Sequence, residues 1–158
     1  MSEDWFDMIV SLMDADARFM VVGAHALAIH GVSRATQDLD VWIDPHPANT
    51  PRVMRALAGF GAPVGDLKLT EEDLQRPDTV IQLGLPPNRI DLLTSVSGIR
   101  EFEDAWRTRV AHEVRGRTVP FIGRVALITN KLAAGRPRDL ADVAQLSDSS
   151  DAPADEAT

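Results

Sequence analysis

The sequence predicts a single α+β domain, and three observations carry that reading. Short apolar runs of strand length alternate with segments whose apolar residues recur at helical spacing. The strand-like runs come singly or in tight pairs between short helices, with no long structureless stretch. At 158 residues and 44% hydrophobic content, the chain has enough apolar material for one core, and no internal repeat divides it.

The elements follow in order. Ser2, with Glu3 and Asp4 behind it, reads as a helix start, and Trp5, Met8, Ile9, Leu12 and Met13 keep helical spacing on the core side. Phe19-Met20-Val21-Val22 is long enough for one buried strand. Gly23 and Ala24 follow at once, and then HALAIH, a short helical segment closed by Gly31. Leu39, Val41 and Ile43 alternate with Asp38, Asp40 and Trp42, which is the period of a strand. Asp44-Pro45-His46-Pro47 is a loop that can continue neither element. Asn49 or Thr50 caps a helix that has Pro51 at its first position and Val53, Met54, Leu57 and Phe60 as its stripe.

After connecting chain, Thr70 caps a turn of helix whose acids Glu71, Glu72 and Asp73 suit the positive helix end. Thr79–Gly84 and Arg89–Leu93 are two strands joined by a turn around Pro86-Pro87-Asn88. Glu101–Trp106 is a short helix. Thr108–Val114 and Arg117–Phe121 pair around Arg115-Gly116, a tight turn. Helices over Arg124–Ala134 and Pro137–Leu146 close the body, split by Gly135-Arg136-Pro137. The body is residues 1–146; residues 147–158, acidic and without large apolar groups, are expected to be a disordered tail.

Composition narrows the chemistry. No cysteine is present, so disulfides, thiolate zinc sites and cysteine nucleophiles are all excluded. The formal charge is −8, and the last twelve residues hold four acids and no base, which leaves −4 to the body. That balance argues against tight binding of duplex DNA, which needs a basic surface, but it allows a nucleotide or one end of an RNA. With no eighteen-residue apolar run and no signal-peptide pattern, a cytoplasmic protein away from membranes is expected.

The residues that suggest a function are carboxylates. Side chains two apart on a strand leave from one face, so Asp38 and Asp40 point together, opposite Leu39, Val41 and Ile43. Two adjacent carboxylates repel unless a cation lies between them, and a divalent metal is the usual one. Asp91 is a third acid in a strand that otherwise looks buried, flanked by Arg89 and Leu93. The bland alternative makes Asp38 or Asp91 a strand-end residue satisfied by an arginine.

Gly-Ala followed after thirteen residues by D-L-D, with a later strand acid, resembles the polymerase-β-type nucleotidyltransferase superfamily. GAHALAIHG, RATQDLDVW, RIDLLT, FEDAW and NKLAAGRPRDLADV together resemble one of its small bacterial branches, and the last segments are similar to nucleotidyltransferase toxins and abortive-infection proteins. The likeness covers about residues 5–146. It implies a twisted mixed sheet with helices, and two magnesium ions held by Asp38, Asp40 and Asp91. Magnesium takes hard oxygen ligands, commonly one or two carboxylates plus substrate phosphates, and agrees with that set.

The resemblance also nominates residues for a nucleoside triphosphate. Gly23 and Ala24 sit at a strand-to-helix turn, where backbone N–H groups attract phosphate; many relatives have Gly-Ser or Gly-Gly there, and Ala24 offers no hydroxyl. Arg34 either neutralises a phosphate or pairs with an acid. Thr36 is expected to orient a carboxylate. His25 and His30 are five apart, a poor metal pair, and Trp42 reads as core. Lys131 lies on an otherwise apolar helix, where a lysine ordinarily reaches back to solvent; the matching lysine of the toxins is functional, and a point charge suits a triphosphate. Arg138 and Asp142 form an i,i+4 pair that reads as a surface salt bridge, while the resemblance makes Asp139 or Asp142 an organiser of Lys131 or of the acceptor.

Two functions from different classes follow. The first is a nucleotidyltransferase that moves a nucleoside monophosphate from an NTP to an RNA end, a protein hydroxyl or a small molecule. The second is a binding partner or antitoxin of the same fold that acts by contact, within a toxin–antitoxin pair. A degenerate domain that keeps its acids for folding alone is the third, plainer reading.

Overall fold

The structure is a computed structural model that describes residues 1–148. A six-stranded mixed sheet in the order β3-β4-β2-β1-β6-β5 is flanked by helices, in an α+β arrangement. The strands are β1 (Phe19–Val22), β2 (Asp38–Ile43), β3 (Val80–Leu83), β4 (Arg89–Leu93), β5 (Val110–Val114) and β6 (Arg117–Phe121). The helices are α1 (Glu3–Asp14), α2 (Gly23–Ile29), α3 (Thr50–Phe60), α4 (Glu71–Gln75), α5 (Phe102–Trp106), α6 (Arg124–Ala134) and α7 (Pro137–Asp148). Each expected element is present within a residue or two. Helix α7 runs to Asp148, so the body extends two residues past the expected boundary; the rest of the expected tail, residues 149–158, lies outside the described residues. Among the described residues no helix is long and apolar enough to cross a membrane.

Strand pairing decides where the acids go. β1 and β2 are antiparallel, β2 and β4 are parallel, and the outer pairs β3–β4 and β5–β6 are hairpins. The β2–β4 register sets Asp38 beside Arg89, Asp40 beside Asp91 and Trp42 beside Leu93. Because partners in register share a face, one face of the sheet carries a row of polar residues at one end and Trp42 and Leu93 at the other. The opposite face is apolar: Leu39, Val41, Ile90, Leu92, Ile81 and Leu83 are all buried. These join Trp5, Met8, Ile9 and Leu12 of α1 and Val53, Ala56 and Leu57 of α3 in one core.

Trp42 is core, as its residue type suggested. It is 1% exposed, donates from Nε1 to the Thr94 carbonyl and meets Phe102 edge-on. His30 Nε2 contacts the Ile122 carbonyl at 2.9 Å, and His25 packs edge-on against Trp5. Burial, then the positive N-terminus, lowers the pKa of His25.

Candidate active site

A cleft of about 730 Å³ opens at the Asp38 end of β2 and the Arg89 end of β4, between those strands and the α6–α7 pair. Gly23, Ala24, Arg34, Thr36, Asp38, Asp40, Asp91, Lys131, Arg138 and Asp139 all line it. Asp142 does not line it, but contacts residues that do.

The floor is made by the three acids. Asp38, Asp40 and Asp91 each offer one carboxylate oxygen, and these oxygens lie within 4.8 Å of one another. Thr36 donates to Asp38 Oδ1 at 3.1 Å and to its backbone carbonyl at 3.0 Å, which fixes that rotamer. The backbone behind Asp40 explains Gly23. Gly23 has φ +67, and a Cβ there would collide with Asp40 Oδ2, so only glycine lets the carboxylate lie against the start of α2. That helix has no side-chain cap.

Electrostatics at the floor are unbalanced. Burial, then the charges of Asp38 and Asp91, push the pKa of Asp40 up to about 7, against the pull of Arg89 and Arg138. Burial also raises Asp91, with Asp38 adding to it and Arg89 opposing. The cation among them is one that the sequence reading placed only as a neighbour of Asp91. Arg89 Nη2 lies 2.7 Å from Asp38 Oδ2 and 3.2 Å from Asp91 Oδ2, and its Nε lies 3.2 Å from Asp91 Oδ1. The plainer alternative, an arginine satisfying the strand acids, therefore describes Asp38 and Asp91 as they stand. Its signal was present: Arg89 precedes Asp91 by two on one strand and so must share its face.

The wall contributed by α6 and α7 is balanced instead. Gly135 ends α6 in the left-handed conformation (φ +67), and Pro137 opens α7, folding the second helix back on the first. That turn brings Asp139 and Asp142 to Lys131, whose Nζ lies 3.4 Å from Asp139 Oδ1 and 2.9 Å from Asp142 Oδ2. Lys131 is 5% exposed, so it does not reach back to solvent as lysines on apolar helices commonly do. Arg136 grips Asp139 through Nε at 2.6 Å and its own backbone N–H at 3.2 Å. Burial pushes Asp139 up, but the Arg136 hydrogen bond and charge, with Lys131, hold it below the ordinary carboxylate range.

The expected Arg138–Asp142 surface salt bridge is not formed. Asp142 is buried and pairs inward with Lys131 and with Arg34 Nη2 at 3.4 Å, because the α6–α7 turn makes those partners nearer than its own helix neighbour. Arg34 thus has an acid partner while also lining the cleft. Arg138 is exposed and its charge reaches Asp40.

The three acids fit a divalent metal. They present hard oxygens close enough together to share an ion, and Asp91 Oδ1 is buried with no hydrogen-bond donor. No protein-family model matches the chain, and no curated protein matches it.

Proposed function

We propose that this chain is a metal-dependent nucleotidyltransferase of the polymerase-β-type fold, transferring a nucleoside monophosphate from an NTP to a hydroxyl acceptor. One observation carries the reading: three carboxylates from two parallel strands converge on the cleft floor, facing cationic side chains on its walls. In the transfer, the acceptor oxygen bonds to the α-phosphorus, the bond from that phosphorus to the β-phosphate bridging oxygen breaks, and pyrophosphate leaves with the electron pair.

Asp38, Asp40 and Asp91 are the residues that would hold magnesium, two ions in the full site. Such ions, when bound, neutralise the developing charge on the phosphate oxygens and make the acceptor hydroxyl easier to ionise. Asp91, on the cleft floor, is the place for the acceptor proton. Arg138, exposed at the cleft edge, and Arg34 meet the phosphates, with Lys131 as a fixed charge held on its two acids. Gly23 admits Asp40 against the start of α2, beside the cleft that Gly23 and Ala24 line. Positioning and charge are what phosphoryl transfer needs from a protein.

The acceptor class is an RNA end, a protein hydroxyl or a small molecule, and a cytoplasmic toxin–antitoxin setting suits a small domain of this kind. The contact-only module is favoured by one observation, Arg89 lying among the acids where an ion would bind. Incubation of the full chain with each α-labelled NTP, magnesium and a cell extract decides between them. Label should appear in RNA, protein or a small molecule; no label with any of the four NTPs would leave the contact-only module standing.

A further inference from the structure

The guanidinium of Arg89 spans Asp38 and Asp91, 2.7 Å from one carboxylate and 3.2 Å from the other, within the space a shared cation would use. We propose that Arg89 is a built-in counter-ion which keeps free divalent ions out of the carboxylate site and yields only to an ion arriving with a polyphosphate, whose oxygens then receive the guanidinium. This inference rests on the metal-site reading and adds to it a rule for how the site fills.

Three observations support it. First, the arginine is there by backbone register, since Arg89 is paired with Asp38 across β2–β4 and shares a strand face with Asp91. It competes for the same oxygens by construction. Second, the clamp is incomplete. Arg89 Nε and Asp91 Oδ1 are both buried and face each other at 3.2 Å, yet neither makes a hydrogen bond. Its side chain is also 31% exposed and lines the cleft, so it can swing toward a ligand without uncovering the core.

Third, the charges fit two states. Three ionised carboxylates and one guanidinium sum to −2, so a first divalent ion meets less charge than the −3 of the acids alone and shares two of them with the guanidinium. A second ion would leave +2 beside a guanidinium that cannot lose its proton, a state that only an anionic ligand relieves. A polyphosphate provides that charge, and its oxygens match the planar fork of an arginine better than they match a lysine.

The test is a titration of the full chain with manganese(II) alone, and with the manganese complex of a non-hydrolysable ATP analogue, followed by water-proton relaxation. Manganese alone should bind R89Q at least about tenfold more tightly than the wild type, because a unit charge a few ångströms away has been removed. The manganese–nucleotide complex should bind R89Q more weakly than the wild type, since the phosphates lose their arginine. A merely structural arginine would move both affinities in one direction. R89Q binding manganese no more tightly than the wild type overturns the proposal.

The wild type gives a second readout that does not depend on the variant folding. Its Arg89 Nε–H resonance should hold its position with magnesium alone and shift when nucleotide is added; a full shift with magnesium alone overturns the proposal too. A wild type that binds neither manganese nor its nucleotide complex would instead defeat the metal-site reading itself.

Discussion

At the strand end of the cleft, Arg89 is the one cation among the described residues that pairs with Asp38 and Asp91, and Asp40 is left with a pKa near 7. At the helix end, Asp139 and Asp142 are matched by Lys131, Arg136 and Arg34, and Asp139 is held below the usual carboxylate range. The same residue types, at two ends of one cleft, are thus left in opposite electrostatic states. A balanced cluster stabilises the fold that contains it. An under-compensated one costs stability until a cation arrives, which is how a binding site differs from a structural ion pair.

The comparison breaks most decisively through activity. Asp38→Ala, Asp40→Ala and Asp91→Ala should each lower label transfer by several orders of magnitude while circular dichroism stays near wild type and melting falls no lower than wild type, because removing one of three repelling acids relieves strain. Unfolding of these variants would place the strand acids in the structural class with Asp139.

Lys131→Met is expected to act in the opposite way. It leaves Asp139 and Asp142 buried without their lysine, and should cost about 3–5 kcal/mol in urea denaturation. A loss below about 1 kcal/mol, the range of exposed pairs, would mean that the cluster is not closed to water.

Asp40 gives a pH test of the strand end in chelator-treated protein. Its proton is held to about pH 7 in the fold but leaves near the ordinary carboxylate value of 3.8 in the unfolded chain. The folded state therefore binds the extra proton between those values, and this group lowers stability as pH rises through that window. Asp40→Asn should match the wild type below about pH 4 and exceed it above about pH 7, by on the order of 2–4 kcal/mol. Equal stabilities at pH 8 would show that Asp40 is already compensated.

The smallest effect concerns orientation alone. Thr36→Val removes the hydrogen bond to Asp38 Oδ1 with little change in volume, and should cost about 0.5–1.5 kcal/mol. Activity should fall less than for any of the three acids. An effect as large as that of Asp38→Ala would mean that Thr36 touches substrate.

Much of this was legible from local pattern. Alternation placed Asp38 and Asp40 on one face of β2, and helical spacing, caps and turn residues located the elements, because each of those signals is carried by residues within a few positions of one another. Gly23 was legible as a turn, but its contact with Asp40 was not.

The partners of the charges were decided by the tertiary structure. Arg89 reaches Asp38 across 51 residues of chain, through a parallel register that local periodicity does not encode. Lys131 was readable as the odd cation on an apolar helix, yet its burial follows from the fold of α7 back onto α6, which also turned Asp142 from Arg138 toward Lys131 and Arg34. The sequence by itself determined which residues are charged and which face of an element each one leaves. Which charge meets which was left to strand register and helix packing, because Coulomb energy depends on separation in space and a chain that folds back makes distant residues near.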